Sequence, residues 1–290
     1  MNPNVMATDK KTLENTTMKN AAIKKNARIA DAFKKGPALI AYICAGDPTI
    51  EATKDIVRSL VKGGADIIEL GLPFSDPVAD GPTIQAAIER ALDAGMNPDK
   101  YFEMAAELDV NVPLVCMTYY NLIFKRGLEQ FVKDSMASGI TGLIVPDLPP
   151  EESGELEVVC KEYGLDLIFL IAPTTTPKRI KMIAKKSSGF IYLVARLGVT
   201  GARSDVADLT TGLISKVNRE AGEGCNTPLA VGFGVSKGEH AKQFIAAGAN
   251  GVIVGSAFID IIASGNDVNT RVEALARDLK KGIKDGAKSQ

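Results

Sequence analysis

The chain has 290 residues, 46% hydrophobic and 24% charged, and its 34 basic and 35 acidic residues leave a formal net charge of -1. This composition is typical of a globular protein with a sizeable core and excludes a wholly disordered chain. No basic cluster indicates a nucleic-acid or anionic-membrane surface, and no apolar run reaches the roughly 18 residues of a membrane helix. We therefore expect no nucleic-acid or membrane partner and a cytoplasmic location.

The start of the chain is polar and lacks the apolar core of a signal peptide. Residues 1–22 are predicted as an N-terminal extension, and the sequence leaves open whether it is ordered. Residues 23–290 are predicted to form one domain. Its first element is an amphipathic helix in KKNARIADAFKK, with Ile29, Ala30 and Phe33 on the inner face.

Eight short runs that are apolar at nearly every position follow along the chain, as expected of strands covered on both faces of a parallel sheet. In chain order they are ALIAYICAG, ADIIELG, PLVCMTYYN, GLIVPD, DLIFLIAP, FIYLVARLG, PLAVGFG and GVIVGS. Helical patterns lie between them, mostly ending at glycine, for example IEATKDIVRSLVKGGA and TIQAAIERALDAG.

This alternation predicts an α/β fold, a single (β/α)8 TIM barrel with an extra N-terminal helix. An open doubly wound sheet is the alternative, but no GxGxxG motif follows the first strand. In a barrel the residues just after each strand form the active face. Candidate functional residues are therefore sought there.

Cysteine and histidine chemistry is not favoured. The four cysteines are widely separated and predict neither a zinc site nor disulfides, and the single histidine, His240, has no nearby nucleophile. Proton transfer is left to carboxylates, tyrosine or lysine.

The second strand ends in ELGLPFSDPVADGP, which places a carboxylate inside an apolar run. Desolvation would raise the pKa of Glu69 and suit it to proton donation near neutral pH, although an ion pair across the barrel mouth is an alternative. Asp80 lies eleven positions later, so the two carboxylates meet only if the loop folds back. From its surroundings alone, Asp80 is equally well a turn residue or helix cap.

The last three strand ends are rich in glycine and provide unobstructed backbone N–H groups where such barrels commonly bind phosphate. Ser256 would begin the eighth helix. Ordinary turn glycines are the alternative for each position taken singly. The group comprises Gly198, Gly201, Gly232, Gly234, Gly255 and Ser256.

Together these motifs resemble the tryptophan synthase alpha subunit family from about residue 23 onwards. ELGLPFSDPVADGPTIQ carries the resemblance most specifically, with AYICAGDPT, TYYN, VPDLPPEES, GVTGAR, GFGVS and GVIVGSA. The resemblance implies retro-aldol cleavage of indole-3-glycerol phosphate to indole and glyceraldehyde 3-phosphate, with Glu69 and Asp80 catalytic. It also implies a substrate site formed by Tyr119, Tyr192, Thr200, Gly201, Phe233, Gly234, Gly255 and Ser256.

The resemblance further implies a β subunit partner in an α2β2 complex, to which indole passes, and pyridoxal phosphate in that partner with no cofactor in this chain. The loop SDPVAD, including Asp76 and Pro77, and the segment NLIFKRG are the expected contact surface. One departure is Ala195, where family members often carry serine. A mobile lid over the site is still expected, and the loss of the serine hydroxyl bears on its closing equilibrium. Another phosphate-binding barrel enzyme and a non-catalytic activating partner remain alternatives.

Overall fold

A computed structural model of the chain describes residues 27–195, 203–222, 224–232 and 234–289. The extension predicted over residues 1–22 lies outside these ranges. The described strands are β1 (Ala38–Cys44), β2 (Ile67–Gly71), β3 (Leu114–Met117), β4 (Ile140–Ile144), β5 (Asp166–Ile168), β6 (Leu170–Ile171), β7 (Ile191–Val194), β8 (Leu229–Gly232) and β9 (Gly251–Val254).

The strands form one parallel sheet in the order β5-β4-β3-β2-β1-β9-β8-β7-β6. The two strands at the ends of this order, β5 and β6, are separated in the chain only by Phe169. The sheet therefore curls into a nearly closed barrel. The predicted barrel is confirmed, with its fifth strand divided at Phe169.

Helices surround this sheet. None of the described helices has the length and apolar character needed to cross a membrane. They are α1 (Ile29–Lys34), α2 (Ile50–Gly63), α3 (Pro82–Asp93), α4 (Pro98–Glu107), α5 (Tyr120–Arg126), α6 (Leu128–Ala137), α7 (Gly154–Tyr163), α8 (Pro177–Lys186), α9 (Arg203–Ala221), α10 (Gly238–Ala246), α11 (Ser256–Ser264) and α12 (Val268–Ala287).

Several helix ends follow directly from local sequence. The side chain of Thr49 accepts a hydrogen bond from the backbone N–H of Ala52, and Asn97 does the same for Lys100, so α2 and α4 begin at capped residues. Helix α2 is followed by the C-cap residue Gly64, whose φ of 104° lies in the left-handed region that glycine adopts without strain.

Side chains of each strand alternate between the barrel interior and the layer under the helices. Ile67 belongs to the interior cluster and Ile68 to the outer one. The buried residues of the interior cluster are Ile29, Ala32, Ile40, Ile67, Val115, Ile144, Ile168, Phe190, Ala230 and Ile253. By this alternation Glu69, two residues beyond Ile67, also faces inwards.

Helix α1 covers the interior at the amino-terminal end of the strands. Ile29 and Ala32 are buried, Phe33 is partly buried, and Ala30 is exposed. The predicted inner face was therefore wrong at Ala30, because the short helix starts at Ile29 and its buried stripe recurs three and four residues later. The Cδ1 atom of Ile29 packs against Gly142, where an added Cβ would lie only 2.7 Å from it.

The carboxyl-terminal helix α12 packs closely on α10 because glycines face each other at the crossing. A Cβ at Gly282 would overlap the carbonyl group of Gly238, and a Cβ at Gly286 would lie 2.5 Å from the carbonyl oxygen of Lys242. The carboxylate of Asp278 accepts a 2.7 Å hydrogen bond from the backbone N–H of Gly238. Backbone contact of this kind leaves no room for a side chain.

We therefore predict that Gly282→Ala lowers the free energy of unfolding by about 2 kcal/mol, because the helices must separate to admit a methyl group. Gly212→Ala in α9 is the matched control, since a Cβ there meets nothing within 4 Å. It should raise stability by roughly 0.5–1 kcal/mol. Urea unfolding of both variants measures this, and equal stability of Gly282→Ala and the parent would contradict the close packing.

Candidate active site

Glu69 lies in the middle of β2 with its side chain inside the barrel. The residue is 0% exposed, and neither carboxylate oxygen has a hydrogen-bond partner among the described residues. In the described part of the chain it forms no ion pair, so the alternative of a Glu69 ion pair finds no support there. A buried polar group without a partner is costly and typically marks a functional site.

Burial raises the pKa of Glu69 to about 8, and the negative charge of Asp80 contributes to the rise. Both effects disfavour the carboxylate form. The side chain is therefore mostly protonated at neutral pH and can both donate a proton and take one back.

Asp80 is held at the mouth of the barrel by Tyr119, which follows β3. The Tyr119 hydroxyl donates a 2.6 Å hydrogen bond to Oδ2 of Asp80 and accepts a 2.9 Å bond from the backbone N–H of Ala79. Burial raises the pKa of Asp80, and the hydrogen bond from Tyr119 opposes that rise. The Tyr119 bond thus favours the ionised form of Asp80, and it leaves Oδ1 for another donor.

The loop that carries Asp80 is tied to the helix that follows it. The side-chain amide of Gln85 in α3 donates a 2.8 Å hydrogen bond to the carbonyl oxygen of Asp80. In turn, α3 is fixed to the loop after β1 by Arg90, which forms two 2.8 Å bonds to the buried carboxylate of Asp47. Asp80 is therefore positioned from both of its sides.

Two tyrosines flank the two carboxylates inside the barrel mouth. The ring of Tyr192 in β7 lies over Gly232, where an added Cβ would be 2.5 Å from its Cε1 atom. The ring of Tyr42 in β1 lies over Gly71 in the same way, with 2.5 Å between an added Cβ and the hydroxyl oxygen. The charges of Glu69 and Asp80 contribute to the raised pKa of each tyrosine, after the larger effect of burial.

Tyr42 was absent from the residues predicted by sequence. Its signal was the alternation of β1, because Ile40 faces the interior and Tyr42 is two residues further along. It is also the direct strand partner of Glu69.

The predicted anion site lies at the ends of β8 and β9. Gly232 pairs with Ile253, so Gly234 and Gly255 follow at the same level beyond the strands. Gly234 is exposed with a φ of 81°, and Ser256 is the exposed first residue of α11, which begins after Gly255. The first N–H groups of a helix lack internal partners and can bind an anion.

Part of the predicted site is not covered by the described residues. Thr200, Gly201 and Phe233 lie outside the described residues and remain predictions. Ala195, the departure at the end of β7, is partly buried, and its N–H donates a 3.2 Å bond to the carbonyl of Gly232.

The described residues include no candidate metal site and no reactive thiol. No group of three or more histidine, cysteine or acidic residues in the described ranges could bind a metal. The four cysteines are free thiols, and Cys44 and Cys116 are buried. Burial raises the pKa of the Cys116 thiol to about 12, so it is protonated and unreactive at neutral pH.

Comparison with known proteins decides the family. The family model described as tryptophan synthase alpha chain matches residues 29–288. The chain belongs to the tryptophan synthase alpha chain family. The alpha chain of Methanosarcina mazei is 57% identical over 267 residues, covering 90% of this chain and 96% of that protein. The alpha chain of Methanosarcina barkeri is 60% identical over 251 residues, covering 87% and 93%.

Solved structures of the tryptophan synthase family share the fold. The tryptophan synthase alpha subunit of Legionella pneumophila superposes with a TM-score of 0.78 at 34% identity, and the match covers 89% of this chain and 98% of that one. A chain from the tryptophan synthase a2b2 complex of Pyrococcus furiosus gives a TM-score of 0.79 at 38% identity, covering 85% and 98%. The TIM barrel assignment is thereby confirmed.

The raised pKa of Glu69 predicts a dependence of stability on pH. Because the folded pKa of about 8 lies above the 4.5 of an ordinary glutamate side chain, the folded state retains a proton that the unfolded state releases. The contribution of Glu69 to the free energy of unfolding is therefore fully present below pH 4.5 and is lost as pH rises to about 8.

The glutamine amide in Glu69→Gln does not titrate, so this variant lacks the pH-dependent contribution of Glu69. The stability of Glu69→Gln relative to the parent should thus rise with pH, by at most roughly 1.4 kcal/mol per unit. Urea unfolding of both proteins at several pH values from about 5 to 8 measures this, with exposed Glu89→Gln as the surface control. A Glu69→Gln difference that stays constant across this range contradicts the raised pKa.

Proposed function

We propose that this alpha chain cleaves indole-3-glycerol phosphate to indole and glyceraldehyde 3-phosphate, a carbon–carbon lyase reaction, with Glu69 and Asp80 as its catalytic residues. The observation that carries the assignment of roles is the partnerless carboxyl of Glu69 inside the barrel, beside the charge of Asp80. Two carboxyl groups in different surroundings can take different protonation states and different tasks.

Glu69 is the proton donor and then the acceptor. Protonation of indole carbon C3 makes the ring a leaving group for the retro-aldol step. As the bond between C3 and the glycerol carbon breaks, the hydroxyl on that carbon loses its proton and becomes the aldehyde. The carboxylate left on Glu69 by the first transfer accepts this proton, so the residue ends the cycle protonated.

Asp80 acts on the other side of the indole. Protonation at C3 puts positive charge on the ring nitrogen, and a carboxylate that accepts the N–H hydrogen bond stabilises that charge. The bond from Tyr119 occupies Oδ2 and supports the ionised form, which leaves Oδ1 to face the indole. Tyr119 therefore orients Asp80 within the proposed substrate site.

The phosphate of the substrate is assigned to the glycine-rich ends of β8 and β9. Gly234, Gly255 and Ser256 provide backbone N–H groups and a hydroxyl without side-chain obstruction. Thr200 and Gly201 are proposed to close over the phosphate, and Tyr192 and Phe233 to contact the organic part of the substrate. These roles rest on the family resemblance together with the strand ends.

The partner is a tryptophan synthase β subunit, as in the a2b2 complex of Pyrococcus furiosus. Two large apolar side chains on the expected contact surface are exposed, Val78 at 82% and Phe124 at 66%. Val78 lies in the loop with Asp76 and Pro77, and Phe124 lies on α5. We propose that both become buried against the β subunit, that the β subunit holds pyridoxal phosphate, and that the complex is cytoplasmic.

The lyase assignment predicts that Glu69→Gln lowers the rate of indole formation by about 10²- to 10⁴-fold, because the glutamine amide cannot donate or accept the proton at C3. Asp80→Asn should also lower the rate, since a neutral amide does not stabilise the cationic ring. Purified protein incubated with indole-3-glycerol phosphate, alone and with a β subunit, provides the measurement. Exposed Glu89→Gln serves as the control and should retain the parent rate.

The outcomes separate the alternatives. Binding of 3-(indol-3-yl)propyl phosphate should survive in Glu69→Gln, which shows that only the chemistry is lost. Full indole formation by Glu69→Gln would contradict the catalytic role of Glu69. Turnover of a different phosphorylated substrate, with no indole formed by the parent, would point to another phosphate-binding barrel reaction. Absence of indole formation by the parent protein, with or without the β subunit, would point to a non-catalytic activating partner.

A further inference from the structure

Tyr42 lies between the proposed phosphate site and the proposed acid. The Cβ, Cγ and Cδ1 atoms of Tyr42 are nearest to Gly255, with Cδ1 at 3.2 Å from an added Cβ. Its hydroxyl end lies over Gly71, two residues beyond Glu69 in β2. The side chain therefore extends from the end of β9 towards β2, that is, from the proposed phosphate site towards Glu69.

The order of the strands explains this placement. β1 lies between β9 and β2 in the sheet, and Tyr42 pairs with Glu69 across β1 and β2. Because Gly71 and Gly255 lack side chains, the ring can lean over both neighbouring strands. Any residue larger than glycine at Gly71 would collide with the phenol.

Among the described residues, no hydrogen bond of the Tyr42 hydroxyl is found, and the residue is 6% exposed. A phenol hydroxyl in this position can donate a hydrogen bond to a ligand and accept one from it. Burial, followed by the charges of Cys44 and Asp80, raises the pKa of Tyr42 well above its usual range. The phenol therefore stays protonated and can donate.

We propose that the Tyr42 hydroxyl hydrogen-bonds a hydroxyl group of the glycerol chain and so makes Tyr42 a specificity-determining residue for the substrate. The inference rests on the proposed function, because the glycerol chain links a phosphate at Gly255 and Ser256 to an indole carbon beside Glu69. A chain that spans these two points passes over Tyr42. A site built to hydrogen-bond a substrate hydroxyl discriminates against the analogue that lacks it.

The test compares two ligands in two proteins. Indole-3-glycerol phosphate carries the hydroxyls, and 3-(indol-3-yl)propyl phosphate lacks them. Kd values are measured by calorimetry in Glu69→Gln, which prevents turnover, and in Glu69→Gln/Tyr42→Phe. Phenylalanine keeps the ring over Gly71 and Gly255 and removes only the oxygen. Tyr42→Phe should weaken binding of indole-3-glycerol phosphate by about fivefold and leave the propyl analogue within about twofold.

Tyr101→Phe, in the same Glu69→Gln background, is the matched control. Tyr101 lies on helix α4 rather than on a strand, and its buried hydroxyl already donates a 3.0 Å bond to the carbonyl of Leu70 in β2. Its loss should not distinguish the two ligands. Equal effects of Tyr42→Phe on both ligands, or no effect on either, would overturn the glycerol contact.

Failure of this inference is distinguishable from failure of the lyase assignment. If single Glu69→Gln still forms indole, the catalytic assignment is wrong. If it is inactive and binds both ligands, but Tyr42→Phe does not discriminate between them, only the role of Tyr42 is wrong. In otherwise unmodified protein, Tyr42→Phe should raise the KM for indole-3-glycerol phosphate more than it lowers kcat.

Discussion

The site depends on one constraint, a carboxyl group held inside the barrel with no hydrogen-bond partner in the part of the chain that the structure describes. Glu69 stands one layer above Ile67, and the surrounding strands and helices keep water from it. Burying a polar group in this way destabilises the fold, and the well-packed interior and outer clusters offset that cost. Evolution retains such a group when its neutral form is useful, and a proton donor that works near neutral pH is one such use.

The parallel sheet brings the other components to this carboxyl. Side chains two residues apart on one strand share a face, so Glu69, Gly71 and Tyr42 meet at one end of the barrel. Glycine at the positions under the two phenols is what lets them lie across the neighbouring strands. Asp80 arrives from the loop after β2, but its orientation depends on Tyr119 and Gln85, which belong to different elements. The strands thus position Glu69 and Tyr42, and hydrogen bonds from Tyr119 and Gln85 position Asp80.

The sequence predicted the barrel, the desolvated setting of Glu69 and most helices, because periodicity and glycine positions are local signals. It did not predict the break of the fifth strand at Phe169. It was also wrong about Ala30, because the face of the first helix that is buried depends on tertiary contacts, such as that of Ile29 with Gly142. Helix α4 is an addition to the strand–helix alternation, which therefore could not indicate it. The alternation of β1 places Tyr42 on the same face as Ile40, but its position beside Glu69 follows from the pairing of β1 with β2, and Tyr42 was therefore missed.

The protonation state of Glu69 in the folded protein tests this account most directly. Infrared difference spectra between the parent and Glu69→Gln, recorded as a function of pH, isolate the carbonyl stretch of a protonated carboxylic acid at this position. The account predicts that the band is present at neutral pH and disappears with a midpoint of about 8. A spectrum that shows Glu69 already ionised below about pH 6, near the range of ordinary glutamates, would contradict it.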